Sequence, residues 1–303
     1  MRSRLAAGII ILSSLVIAAF ACASPAPQPT PTLSPTPESL RLALASSDLA
    51  VGSNRVVFGV LDDDTGPVRD ADVAISTFFL PATGGQEGPV EMVDAVFRAW
   101  PVTPRGVFTA QLSFDRPGEW GIGAVVTGVD GTERKASARV RVKEAPATPA
   151  LGTAAPRSVS KTLADVEGFE QITTDFEPDA DIYGITVAEA LDTGKPLLVV
   201  FSTPAYCQTA TCGPQLGVIK ELKAEYADRM NFIHIEVYDN PHEIEGDLSR
   251  AVISPTAEEW GLPSEPWTFI VDGEGMIRAK FEAFTTREEL ESALSGVLSG
   301  GGA

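Results

Sequence analysis

Between residues 40 and 144 the apolar positions alternate, and no helical period appears. Residues 55–61 form a β-branched, apolar run that ends in the turn residues Asp62, Asp63, Asp64, Thr65, Gly66 and Pro67. Residues 73–80 form the next run, closed by a loop carrying Pro81, Gly84, Gly85, Gly88 and Pro89. In 107–114, Phe108, Ala110, Leu112 and Phe114 share one face. Pro117 and Gly118 turn the chain into 120–127, and Asp130-Gly131 is a hairpin signal. In 136–143, Ala138, Val140 and Val142 alternate with Arg139, Arg141 and Lys143, so one face is solvated. Short strands with turn punctuation predict an antiparallel β-sandwich of about 100 residues, here 40–144.

After residue 160 the period changes. Thr186 and Glu189 make a capping box that opens a short helix ending by Gly194, with Lys195-Pro196 as the stop. Residues 197–201 are continuously apolar, as in a central strand buried on both faces. Residues 214–226 carry Leu216, Ile219, Leu222 and Tyr226 on one helical stripe. Strands are predicted at 231–237 and 267–271, then a turn at 272–275 into 276–281. Thr286 and Glu289 cap a last helix to about Leu298. Helix, strand, helix, strand, hairpin, helix predicts an α/β fold with helices on the faces of a central sheet, in 161–303. Residues 145–160, rich in Pro and Ala, read as a linker between two independently folding halves.

The chain begins with an export signal. Arg2 and Arg4 precede an apolar run over 5–20, too short for the roughly 20 residues of a spanning helix. The run ends in Ala19-Phe20-Ala21-Cys22, which admits two readings: Ala19-x-Ala21 suits an ordinary signal peptidase, and small residues directly before a cysteine resemble a bacterial lipobox, with Cys22 as the lipidated N-terminus after removal of a signal peptide. Cysteine arithmetic agrees: of three cysteines, lipidating Cys22 leaves an even pair. The following Pro/Thr/Ser segment, 23–39, is an extended tether. An extracytoplasmic protein anchored to the cell membrane by lipid is expected.

Net charge is −18 and uneven: 40–145 carries 11 basic and 14 acidic residues, whereas 157–303 carries 10 and 26. An acidic half repels phosphate backbones, which excludes nucleic acid as a partner.

The apolar run 197–201, a cysteine pair in a loop, a long helix, and then Ser264-Glu265-Pro266-Trp267 opening a strand and hairpin resemble the thioredoxin superfamily over 182–298. The resemblance implies a thioredoxin-like fold, a cis peptide before Pro266, and a groove in which Pro266 lies against the thiols. It further implies thiol–disulfide exchange by Cys207 and Cys212 on exported protein thiols and disulfides, with no cofactor. The turn at 117–120 likewise resembles immunoglobulin-like extracytoplasmic modules.

Four residues separate the cysteines here, where the family has two. On one regular helix that spacing turns the thiols ~140° apart, so the loop must break, and Gly213-Pro214 offers the break. Cys212 is then expected just before the helix, where the dipole favours a thiolate. Either sulfur could be the nucleophile. The competing reading is a structural disulfide in a non-catalytic envelope binding module, although closing so short a loop stabilises little.

Two other resemblances are weaker. Residues 203–207 followed by Cys212 resemble atypical peroxiredoxins, but Thr203 stands four residues before Cys207 where that family has three, and its late arginine is missing. A copper-delivery relative needs a histidine in the loop before Trp267, and none is there. His234 reads as a packed strand residue and His242 as an exposed loop residue, so no metal site is expected. Trp260 and Trp267 fit either a groove or a core.

Overall fold

A computed structural model of the chain describes residues 40–101, 105–207 and 210–299. The signal sequence, Cys22 and the 23–39 tether lie outside the described residues.

The first half is all strand: β1 (Leu40–Leu44), β2 (Gly52–Asp62), β3 (Gly66–Pro67), β4 (Ala71–Phe79), β5 (Met92–Ala99), β6 (Gly106–Phe114), β7 (Gly118–Gly128) and β8 (Glu133–Val142). They pair in the order β1-β2-β6-β5-β4-β7-β8, with β3 on β2, and every pairing is antiparallel. The expected arrangement was two packed sheets. Here β5 joins the strands into one path: Met92 to Ala95 pair with β4, and Val96 to Ala99 pair with β6. The alternation read from the sequence is the packing pattern. Phe108, Ala110, Leu112 and Phe114 are buried together with Phe58, Ile75 and Trp120. Trp120 meets Phe79 and Phe114 edge-on at 5.5 and 5.1 Å and donates its Nε1–H to the Arg116 carbonyl, so its one polar atom is satisfied inside the core.

The second half holds α1 (Val187–Asp192), β9 (Leu197–Ser202), α2 (Cys212–Tyr226), β10 (Asn231–Glu236), the small pair β11 (Tyr238–Asp239) and β12 (Val252–Ile253), α3 (Pro255–Glu259), β13 (Trp267–Val271), β14 (Ile277–Glu282) and α4 (Arg287–Ser299). The central sheet runs β10-β9-β13-β14. β10 is parallel to β9, whereas β13 is antiparallel to both β9 and β14. β9 is buried along its whole length because both faces are covered. Leu197, Val199 and Phe201 point into one core with Phe269 and Trp260, and Leu198 and Val200 into another with Leu216, Ile219, Leu222, Leu290 and Leu294. Both capping boxes form: Thr186 and Glu189 exchange side-chain-to-backbone bonds at 2.8 and 3.1 Å, as do Thr286 and Glu289 at 3.1 and 3.4 Å.

Residues 145–160 are not a loose linker. The carboxylate of Asp48, in the loop between β1 and β2, accepts from the N–H groups of Ala147 and Thr148 and from the Thr148 hydroxyl. Further on, the Gly152 N–H donates to the Ile277 carbonyl at 2.8 Å and the Ile277 N–H to the Thr153 carbonyl at 2.8 Å. Ala155 and Ser158 are buried, and the Ser158 hydroxyl accepts the indole N–H of Trp260 at 2.9 Å. Proline and alanine gave no periodicity to read, but their backbone bonds a sheet edge and their small side chains let it lie close.

Candidate active site

The thiol loop leaves the C-terminal end of β9, beside its parallel neighbour β10. The chain reverses at Ala210, whose φ is +58°, and α2 starts at Cys212 itself. The break was expected at Gly213-Pro214. It falls two residues earlier, and Pro214 sits in the first turn, where a missing N–H costs no helical bond.

This shift changes which sulfur faces the helix. The Cys212 backbone N–H donates to the Cys207 Sγ at 3.4 Å. Cys207 thus takes one of the N-terminal donors that an α-helix leaves without an internal acceptor, and meets the positive end of its dipole. Cys212 is fully buried, and Cys207 is partly exposed. A hydrogen bond with the Cys207 side chain pushes the Cys212 thiol well above the usual range, burial adds to the rise, and the Thr203 backbone N–H works against it. The helix-start N–H that was expected to favour a Cys212 thiolate is thus directed at the Cys207 sulfur.

The other wall is the segment before β13. The Glu265–Pro266 peptide is cis, and Glu265 stands close enough to Cys207 for their charges to interact. Burial raises the Glu265 carboxyl and the neighbouring Cys207 raises it further. Tyr206, on the cysteine loop, meets Tyr238 of β11 edge-on at 6.2 Å. Trp260 and Trp267 are buried, with indole N–H groups bonded to Ser158 and Ser264, so both belong to the core and not to a groove.

Beneath the loop lie two titratable groups on β10. Glu236 is buried, and its Oε2 accepts from the Thr174 N–H and hydroxyl, each at 2.8 Å. The same Thr174 hydroxyl accepts from Ala205 N–H at 3.1 Å, tying the carboxylate to the cysteine loop. Burial pushes the Glu236 carboxyl up to about 7. His234 is buried between Tyr183 and Ser202, with ring nitrogens 2.7 and 2.8 Å from their hydroxyls, and burial lowers its pKa to about 4. It is the packed strand residue the sequence suggested. Among the described residues no group of three or more His, Cys, Asp or Glu is placed to hold a metal ion. Glu236 was passed over in the sequence, although a carboxylate inside an apolar strand, in step with Phe232 and His234, was the available signal.

The C-terminal half thus has a four-stranded sheet in the order β10-β9-β13-β14, apolar cores on both of its faces and a thiol pair at a helix start, the arrangement that the thioredoxin resemblance implied. No family model and no curated protein matches the chain. Among solved structures it is similar to a thiol:disulfide interchange protein DsbE from Chlorobium tepidum, at 15% identity over 50% of this chain and 99% of that one, with a TM-score of 0.36. It is also similar to a thioredoxin family thiol:disulfide interchange protein from Chlorobium tepidum TLS, at 14% identity over 44% of this chain and 99% of that one, TM-score 0.31. A third is CopC from Methylosinus trichosporium OB3b, at 17% identity over 34% of this chain and 93% of that one, TM-score 0.21.

Proposed function

We propose that this chain is a membrane-tethered thiol–disulfide exchange protein acting on exported proteins, with Cys207 as the attacking sulfur and Cys212 as the resolving one. The observation that carries the reading is the Cys212 N–H bond to the Cys207 Sγ, which sets a partly exposed sulfur at a helix N-terminus beside a buried second thiol.

In the reducing direction the Cys207 thiolate attacks a client disulfide. A bond forms between Cys207 and one client sulfur, and the other client sulfur leaves as thiolate. Cys212 then attacks the Cys207 sulfur, the mixed disulfide breaks, and the Cys212 proton passes to the departing client thiolate. Two electrons move from the protein dithiol to the client, and an external dithiol must restore the pair. The Pro266 segment forms the wall against which the client backbone lies. The acidic half favours clients or reductants with a basic docking face. Anchoring rests on Cys22, with 23–39 as tether and the strand-rich half, residues 40–144, as an immunoglobulin-like sandwich module.

The test is a redox titration of the Cys207–Cys212 couple against dithiothreitol. A reversible couple lying above the roughly −300 mV of structural disulfides supports exchange. A bond that resists reduction in the folded protein leaves a binding module with a structural disulfide. Mass analysis of the mature N-terminus in the host decides the anchor: Cys22 bearing acyl mass is expected, and a soluble form without it removes the tethering.

A further inference from the structure

The segment 282–286, from the last residue of β14 to the start of α4, touches both walls of the thiol site. The Ala283 N–H donates to the Pro266 carbonyl at 2.9 Å. The Thr285 N–H donates to the Gln215 Oε1 at 2.7 Å, and Gln215 lies fully buried in the first turn of α2, three residues after Cys212. Ala283 itself has φ +61°, a left-handed conformation that a residue with a Cβ holds only when its surroundings impose it.

The residues flanking Ala283 are held from the other half of the chain. Arg55, on β2, donates from Nη1 to the Glu282 carbonyl at 3.0 Å and from Nη2 to the Phe284 carbonyl at 3.1 Å, holding the carbonyls of the residues on either side of Ala283. Its Nε donates to the Glu289 Oε1 at 2.9 Å, and its Nη2 to the Glu289 Oε2 at 3.2 Å. Both side chains are only 10% exposed, so the ion pair is not a screened surface contact. A second tie runs beside it. The Glu282 carboxylate accepts from the Ser47 N–H at 2.8 Å, from the Ser47 hydroxyl, and from the Ser264 hydroxyl at 2.6 Å. Ser264 stands two residues before Pro266 and accepts the Trp267 indole N–H.

We propose that Arg55 is a positioning residue for the thiol site: the strand-rich half, through Arg55, fixes the 282–286 turn and thereby the spacing between the Pro266 wall and the α2 start that carries Cys212. The guanidinium fork is the group suited to this, because it serves two carbonyls and a carboxylate in one plane; a lysine offers one point charge. The strand-rich half is then part of the redox site and not a spacer. The inference rests on the exchange reading only for what the site is used for; the geometry it claims shows in thiol reactivity alone.

The experiment uses the full mature chain and three variants: Arg55→Met, Arg55→Lys and the milder Ser47→Ala. In the reduced proteins, the pH profile of iodoacetamide alkylation at Cys207 is followed by mass spectrometry, and the equilibrium with dithiothreitol is measured alongside. In Arg55→Met we expect a shifted Cys207 profile and a change of about tenfold in the exchange equilibrium, which is about 30 mV for a two-electron couple. Arg55→Lys should fail to restore either, and Ser47→Ala should move both in the same direction by less. A contact that merely docks the halves would lower the unfolding midpoint and leave profile and equilibrium unchanged in every folded variant, and that outcome overturns the inference. If the wild-type pair resists dithiothreitol in the folded state, the exchange reading falls, while the Cys207 profile, taken after reduction in urea with a phosphine and refolding, still decides for or against Arg55. Should Arg55→Met not fold, Ser47→Ala decides: an unchanged profile overturns the inference, a shifted one supports it.

Discussion

His234 and Glu236 project from the same face of β10, two residues apart, and burial moves their protonation equilibria in opposite directions. The raised Glu236 carboxyl binds its proton more tightly in the folded chain. Its contribution is fully present below the unfolded value of 4.5 and is lost as pH rises through about 7. The depressed His234 contributes above the unfolded value of 6.5 and loses that contribution as pH falls through about 4.

Between pH 4.5 and 6.5 the two slopes therefore oppose one another. Glu236→Gln keeps an acceptor for Thr174 and removes one slope. Urea midpoints of wild type and variant, taken across this range, isolate it by difference. The stability of wild type relative to Glu236→Gln is expected to fall by up to about 3 kcal/mol as pH rises from 4.5 to 7. A difference independent of pH would mean that Glu236 is as well solvated folded as unfolded.

The strap at 145–160 gives a second prediction. A chain starting at Arg157 lacks Asp48, Arg55 and the Gly152, Thr153 and Ala155 bonds to the β13–β14 hairpin. Three backbone hydrogen bonds near 1 kcal/mol each amount to about 3 kcal/mol, before the lost Ala155 burial and Arg55 clamp are counted. The 157–303 fragment should therefore unfold at a clearly lower urea concentration than the 145–303 fragment, and both below the intact chain. Equal midpoints for all three would restore the picture of two independent halves.

Much of this molecule was legible in its sequence, and where reading failed the reason is physical. Alternation found five of the strands in the first half because their inner faces are apolar and their outer faces wet, as with Phe108 to Phe114. It missed Leu40–Leu44, Met92–Ala99 and the two-residue Gly66–Pro67, read as a turn. In β5 the pattern has no clean buried face: Met92 and Val96 are exposed while Phe97 packs on the core, because the strand serves first β4 and then β6. The capping boxes were legible because they are local chemistry within four residues. The strap and the Arg55 clamp were not, since their partners lie far away in sequence, as with Asp48 and Thr148, 100 residues apart, and Arg55 and Glu289, 234 apart. The cysteines were found, but their roles were not, because burial of Cys212 depends on where the loop turns, and that is set at Ala210.

The last prediction concerns that asymmetry. Cys207 is partly exposed and faces the helix start, whereas Cys212 is fully buried with its thiol pushed up by the Cys207 hydrogen bond and by burial. Thiolate, not thiol, is the nucleophile, and it must reach its target. In the reduced protein, iodoacetamide should therefore modify Cys207 first, with Cys212 slower by at least about tenfold until the chain unfolds. The single variants should differ in the same sense. Cys212→Ser keeps the attacking sulfur and removes the one that resolves, so it should accumulate a mixed disulfide with a small disulfide such as oxidised glutathione. Cys207→Ser should form little, because the Cys212 thiol is buried away from the small disulfide. Intact-mass measurement of the two adduct yields reads the assignment directly. A higher yield from Cys207→Ser would mean that the loop opens to expose Cys212, and the roles given to the two sulfurs would have to be exchanged.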